Sequence, residues 1–207
     1  MRGLPLGVAL LAILCGACRS TPVATWVSLF DGETLGAWEP SPFGGTGDVT
    51  VEEGHVLVEY GAPLSGITWR GEFPADGFEV ELVATRLSGT DFFCAVTFPV
   101  GSEHLTLVLG GWGGAVVGLS CVDGLDASEN ETTLYRSFPQ GRAFRVRVRV
   151  SQQRVQCFVD DELLVDLERA GRNFSLRPEV LPSVPLGLAT FASAATFRGM
   201  RYRLLGD

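Results

Sequence analysis

Phe144-Arg145-Val146-Arg147-Val148-Arg149-Val150 alternates without interruption, an apolar residue at every even position and an arginine at each odd one. Successive side chains of a β-strand point to opposite faces, so this stretch lays one edge of apolar groups on a core and one edge of guanidinium groups in water. One buried and one wet face belongs to antiparallel sheets; strands of parallel sheets are apolar on both sides. The same period runs through 78–85, where Phe78, Val80, Leu82 and Ala84 alternate with Glu79, Glu81, Val83 and Thr85. Arginines on one strand and glutamates on the other predict cross-strand ion pairs on a solvated face, each contributing only about a few tenths of a kcal/mol. An anion site on the arginine stripe is the alternative.

Outward from this pair, further strands are expected at 55–60, 91–98, 103–110, 114–121, 153–159, 162–168, 186–192 and 196–205. Turn-forming residues separate them: Glu53-Gly54, Pro99-Val100-Gly101, Gly110 to Gly114, Asp160-Asp161 and Pro182 to Pro185. The chain holds 26 glycines, and no twelve-residue stretch repeats at helical period, so only 168–176 is left as a candidate helical turn. The pattern is that of an all-β protein: two antiparallel sheets packed face to face in one domain, residues 26–207.

The first residues, MRGLPLGVALLAILCGAC, read differently. Arg2 precedes an apolar run too short for a permanent membrane span, and Gly16-Ala17 supplies the small residues of a cleavage site, which predicts a signal peptide over 1–17 and an exported product. Cys18 directly after Gly-Ala resembles a bacterial lipobox, although Cys15 occupies the place where leucine is usual. The reading is a lipidated Cys18 on a short tether, 18–25, in the bacterial envelope. Arg19 rather than Asp next to the anchor favours the outer membrane, periplasmic or surface facing; an ordinary secretory cut near Ala17 is the alternative. The remaining cysteines, Cys94, Cys121 and Cys157, are odd in number and lie 27 and 36 residues apart, unlike a zinc motif. They are expected as small buried hydrophobes, with one disulfide permitted by the compartment. With 24 acidic against 16 basic residues and a net charge of −8, nucleic acid and anionic lipid are excluded as partners held by bulk charge.

Trp26-Val27-Ser28-Leu29-Phe30-Asp31-Gly32-Glu33-Thr34-Leu35-Gly36-Ala37-Trp38 resembles the opening of the bacterial 3-keto-disaccharide hydrolase domain family. The resemblance continues through Gly54-His55-Val56-Leu57-Val58, Gly77 to Leu82, Arg154 to Glu162, Pro185 to Thr190 and Phe197 to Met200, nearly the whole mature chain. It implies a concanavalin A-like (laminin G-like) jelly roll. It also implies a saccharide partner and a reaction on 3-keto sugars, in which a base removes the acidic C2 proton, the C1 substituent is expelled and water adds back. Where the family often carries a Gln and a His near its end, this chain has Leu188-Ala189-Thr190-Phe191-Ala192-Ser193, so it reads as a divergent branch.

Candidate residues follow from this chemistry. Glu103 or His104 is the candidate catalytic base, with Asp91 expected nearby across a hairpin; His55 reads as a surface turn residue. Asp123, Asp126 and Glu129 form a dense oxygen-rich loop that would suit a divalent metal, calcium or manganese, or else is simply solvated. Trp112, flanked by four glycines, is the candidate platform for a sugar ring, with Trp69, Arg70 and Asn130 as further saccharide contacts. A non-catalytic glycan-binding module and an envelope protein-interaction module remain as alternatives, the second predicting an exposed apolar patch rather than a cleft.

Overall fold

The computed structural model describes residues 25–206, so the signal peptide, Cys18 and nearly all of the tether lie outside the described residues. The rest forms two antiparallel sheets. The first runs β13 (Glu162–Glu168), β12 (Arg154–Val159), β11 (Ala143–Val150), β6 (Phe78–Gly89), β15 (Ser193–Leu204), β4 (His55–Val58) and β3 (Val49–Glu52), with β1 (Val27–Ser28) paired to β15. The second runs β10 (Leu134–Tyr135), β9 (Val116–Ser120), β8 (Glu103–Gly111), β7 (Cys94–Val100), β14 (Leu186–Phe191), β5 (Leu64–Trp69) and β2 (Trp38–Pro40).

Phe144, Val146, Val148 and Val150 are fully buried between the sheets, as the alternation requires, and pair with Ala84, Leu82, Val80 and Phe78 of β6. Their partners across the core include Val96, Phe98, Leu105, Leu107 and Leu109. The three cysteines are free thiols inside this packing; burial pushes the Cys94 and Cys157 thiols far up, so they act as small hydrophobes.

The glutamates of β6 depart from expectation. Glu79 and Glu81 are 2 % and 7 % exposed rather than solvated. On the other side of β6, β15 brings Arg203 opposite Glu79 and Arg201 opposite Glu81, at 3.1 and 2.6 Å, while Arg147 stands 3.4 Å from Glu79. The Trp26 ring lies over both β15 guanidinium groups, at 4.5 and 4.6 Å. Two of the three arginines of the stripe are therefore ion-paired, Arg145 with Asp161 and Arg147 with Glu79, while Arg149 is exposed and makes no ion pair among the described residues.

The family-like opening is a clasp. The Asp31 carboxylate accepts the N–H groups of Glu33 and Thr34, both at 2.8 Å, and Trp38 is 2 % exposed with its indole N–H on the Leu29 carbonyl at 2.8 Å. Those N–H groups hold Asp31 below the usual carboxylate range. The helical turn sits at Pro178–Ser183 rather than in 168–176; Pro178 presets its first residue. Strands β5, β2, β3, β10 and β1 were not evident from alternation. In β5 five of six residues are buried, because both faces are covered, so the period of two disappears.

The inner and outer residues of β11 should separate in stability. Phe144→Ala, which empties a site shared with Phe93 and Phe138, is expected to cost about 3–5 kcal/mol in urea unfolding; Arg145→Ala, which breaks an exposed pair, is expected to cost about 1 kcal/mol or less.

Candidate functional site

The second sheet carries small residues on its outer face. Ala95, Thr106, Val108 and Ser120 alternate with the core residues Cys94, Leu105, Leu107 and Leu119, and point away from the core. Two segments cover part of this face: the loop 121–133, and the stretch leading into the turn at Pro178–Ser183. The loop approaches so closely that a Cβ on Gly118 would stand 2.7 Å from the Ala127 carbonyl. Between these covers and the strand ends an opening of about 250 Å³ remains. Its floor is Ala95, Thr106, Val108, Ser120 and Leu64. Trp112, Phe92 and Phe191 form aromatic walls, and Asp91, Arg177 and Glu179 carry the charge at its edge.

Asp91 builds the aromatic side. Its Oδ1 accepts the N–H groups of Phe92 at 2.8 Å and Trp112 at 3.1 Å, and its Oδ2 accepts that of Gly113 at 3.1 Å. Trp112 is held in a left-handed turn (φ 48°) with 45 % of its surface exposed. Phe92 and Phe191 pack with centroids 5.5 Å apart. On the opposite wall, Arg177 pairs with Glu179 through Nε and with Asp126 through Nη1; the Glu179 carboxylate is the largest influence raising the Arg177 pKa. Asp126 also accepts the Ser120 hydroxyl at 3.1 Å. The result is an apolar slot with one flat indole, one guanidinium and two carboxylates, suited to a ligand with an apolar ring face and polar edges.

The other candidate residues are placed elsewhere. Glu103 and His104 start β8, whereas Trp112 follows its end, about 25–30 Å away along an extended strand. Glu103 accepts the Phe174 N–H at 3.2 Å, and partial burial lowers the His104 pKa below its ordinary value. Asp91 is remote from His104 for the same reason: the hairpin aligns Val100 with Glu103 and Cys94 with Leu109, a register that carries Asp91 to Trp112. That register was available from the turn at Gly101, and would have found Asp91. His55 lies in its turn, with Nδ1 on the Glu53 carbonyl at 2.9 Å.

Asn130 is a structural centre of the acidic loop. Its Nδ2 donates to the carbonyls of Leu119 and Asp126, both at 2.7 Å, and its Oδ1 accepts the Thr132 N–H and hydroxyl. Asp123 accepts the Asn173 N–H at 2.9 Å and Arg172 Nη1 at 2.7 Å, which hold it below the usual range. Asp126 belongs to Arg177, and Glu129 is exposed. These carboxylates do not converge, and among the described residues no group of three His, Cys, Asp or Glu side chains is placed to hold a metal ion. Two of the three carboxylates are engaged by arginines, Asp123 by Arg172 and Asp126 by Arg177. Trp69 sits at the far end of β5 from the opening, its N–H on the Glu72 carbonyl at 3.1 Å and its ring against Trp38, while Arg70 pairs with Glu39 on the surface.

Removing the Asp91 carboxylate should release the indole without unfolding the sheet. In Asp91→Ala the amides of Trp112 and Gly113 are expected to exchange with solvent at least about tenfold faster, given the net worth of a charged hydrogen bond, while β8 amides keep their protection.

Several solved structures share the fold. A galectin-like protein of unknown function from Bacillus subtilis aligns at 10 % identity over 88 % of this chain and 96 % of its own, with a TM-score of 0.62. The Crh5 transglycosylase in complex with NAG aligns at 13 % identity over 89 % and 84 %, with a TM-score of 0.59. The carbohydrate-binding module CBM66 from Bacillus subtilis aligns at 15 % identity over 81 % and 95 %, with a TM-score of 0.54. At such identities the likeness concerns the fold, which is a jelly-roll sandwich. No protein of curated function matches the sequence. The family model for the 3-keto-alpha-glucoside-1,2-lyase-like domain does match, over residues 25–203, from the tryptophan clasp to the last strand, and the chain belongs to that family.

Proposed function

We propose that this domain takes a saccharide in the Trp112 opening. The observation that carries the reading is the exposed indole, fixed by Asp91 over a slot whose opposite wall is the Arg177–Glu179 pair. An indole face stacks on the C–H face of a pyranose, and the charged edge meets its hydroxyls. Membership of a lyase-like family, and solved folds that include a transglycosylase and a carbohydrate-binding module, are consistent with it.

Within this reading the reaction is elimination from a 3-keto-glucoside. The C3 ketone acidifies the C2 proton. Glu179 is the carboxylate at the slot that takes that proton, and Arg177 the cation that holds the enolate oxygen. The electron pair then forms the C1–C2 double bond as the C1–O bond breaks, the departing oxygen gains a proton, and water adds across the double bond. Glu103 and His104 have no part in this step because of their distance.

A second reading, a binding module without turnover, is favoured by one observation: Arg177 is shared between Glu179 and Asp126, which engages the base as well as the cation. Incubation with 3-keto-glucosides, following release of the C1 group, separates the two. Turnover reduced at least about a hundredfold in Glu179→Gln, with KM little changed, establishes the lyase; sugar-dependent change in Trp112 fluorescence without release establishes the module. Trp112→Ala is expected to weaken binding by about tenfold or more in either case, and unchanged affinity would overturn both.

The proposal includes export and anchoring through Cys18. Labelled palmitate should enter the protein in the producing cell and be lost in Cys18→Ala; label-free protein would leave an ordinary secretory signal.

A further inference from the structure

On the far side of the Trp112 turn lies a second hollow of about 470 Å³, lined by Arg86, Thr90, Gly113, Gly114, Tyr135 and Arg136 among others. It adjoins the saccharide slot through two chain segments. Asp91 and Trp112 line the slot, while their neighbours Thr90 and Gly113 line the hollow.

Arg86 is the unusual feature. It rises from β6, is only 8 % exposed, and makes no ion pair among the described residues. Nη2 donates to the carbonyls of Asp91 at 3.0 Å and Gly110 at 3.4 Å, while Nε is buried without a partner. The Asp91 carboxylate favours its charge at longer range, but is itself engaged by the Phe92, Trp112 and Gly113 N–H groups. A cation desolvated to this degree without a carboxylate is costly, and burial lowers its pKa accordingly.

Two glycines leave room beside its guanidinium. A Cβ on Gly114 (φ 105°) would stand 3.4 Å from Arg86 Nη1, and one on Gly110 (φ 76°) would stand 2.4 Å from Nη2. Arg136 adds a second guanidinium, tied on one side to Glu162 at 2.7 Å, and Tyr135 presents a ring that is 75 % exposed. In a chain of net charge −8, long-range attraction does not draw anions; two arginines lining one hollow do so locally.

We propose that this hollow is a second sugar subsite selective for an acidic residue, its carboxylate held by Arg86 and Arg136 and its ring resting on Tyr135. The assignment rests on the reading of the Trp112 slot as a saccharide site, and extends it to a chain whose next residue is a uronate.

The test compares glucose, glucuronate and sulfate at equal ionic strength through the Nε–Hε signals of arginine in NMR spectra of the protein. It then compares a neutral disaccharide with its glucuronate-ended counterpart through Trp112 fluorescence. Glucuronate is expected to shift the Arg86 and Arg136 signals, glucose to leave them, and the acidic disaccharide to bind about tenfold more tightly than the neutral one. Tyr135→Ala, at an exposed position, and Arg136→Gln, at a half-buried one, are expected to abolish that preference while leaving the neutral sugar's affinity intact; Arg86→Met is the stricter variant if it folds. Equal affinity of the two disaccharides overturns the inference and leaves the Trp112 reading standing. Sulfate acting as strongly as glucuronate overturns the sugar selectivity. Arginine shifts with a silent indole overturn the Trp112 slot and, with it, the subsite that rests on it.

Discussion

The second sheet must be covered on both faces, and the rest of the molecule follows from that. Its inner face meets the other sheet in the usual way of a sandwich, apolar row against apolar row. Its outer face holds residues too small to form a core of their own: Ala95, Thr97, Thr106, Ser120 and Gly187. A loop and a 3-10 turn close over it, and a Cβ on Gly187 would stand 2.5 Å from Ser183. Of the hydroxyls left beneath, Thr97 pairs with Thr106 at 2.9 Å and Ser41 with Thr68 at 2.7 Å, as buried polar groups require, while those of Ser183 and Thr190 are buried without a partner. The covering is incomplete at the β7–β8 end, and that gap is the slot.

Asp91 and Arg86 connect the two halves of this end. The Asp91 side chain positions the Trp112 turn, and its carbonyl receives the Arg86 guanidinium and the Ser193 hydroxyl. One residue thereby orients the aromatic platform on one side and the buried cation on the other. Such an arrangement holds a shallow site between strand ends fixed by the sheet and the turn at Pro178–Ser183 folded over it. Rigid strands set the position of the turn, and a single carboxylate sets its conformation.

The contrast between the sheets also explains why one was easier to see in the amino-acid order. Along β11, β12 and β13 of the first sheet the outer face is wet, so these strands alternate and their limits are legible almost to the residue: 162–168 is expected and Glu162–Glu168 is found. On the second, β7 and β9 are buried at every position, and β5 at five of six. Burial on both faces erases the period of two. Trp112 stood out because glycines surround it. Glu103, His104 and the acidic loop stood out only by residue type, and residue type carries no information about what a carboxylate faces. Asp123 and Asp126 face arginines from a segment some fifty residues further on, Arg172 and Arg177. Glu79 and Glu81, legible as charged partners of the arginine stripe, were not legible as buried, since Arg201, Arg203 and Trp26 arrive from the two ends of the chain.

Local order along the chain determined what depends on neighbours: strand period, turn positions, the all-β class, and the clasp of Asp31 and Trp38 that marks the family. Those features arise from interactions within a few residues or within one hairpin, where spacing and geometry are the same thing. The tertiary structure alone decided which charges meet, which faces are covered twice, and that Asp91, Trp112, Arg177 and Glu179 share one opening. These residues are brought together by strand order across the second sheet and by the segment folded over it, and the pairing of distant strands is set by the packing of the whole core rather than by any stretch of the chain.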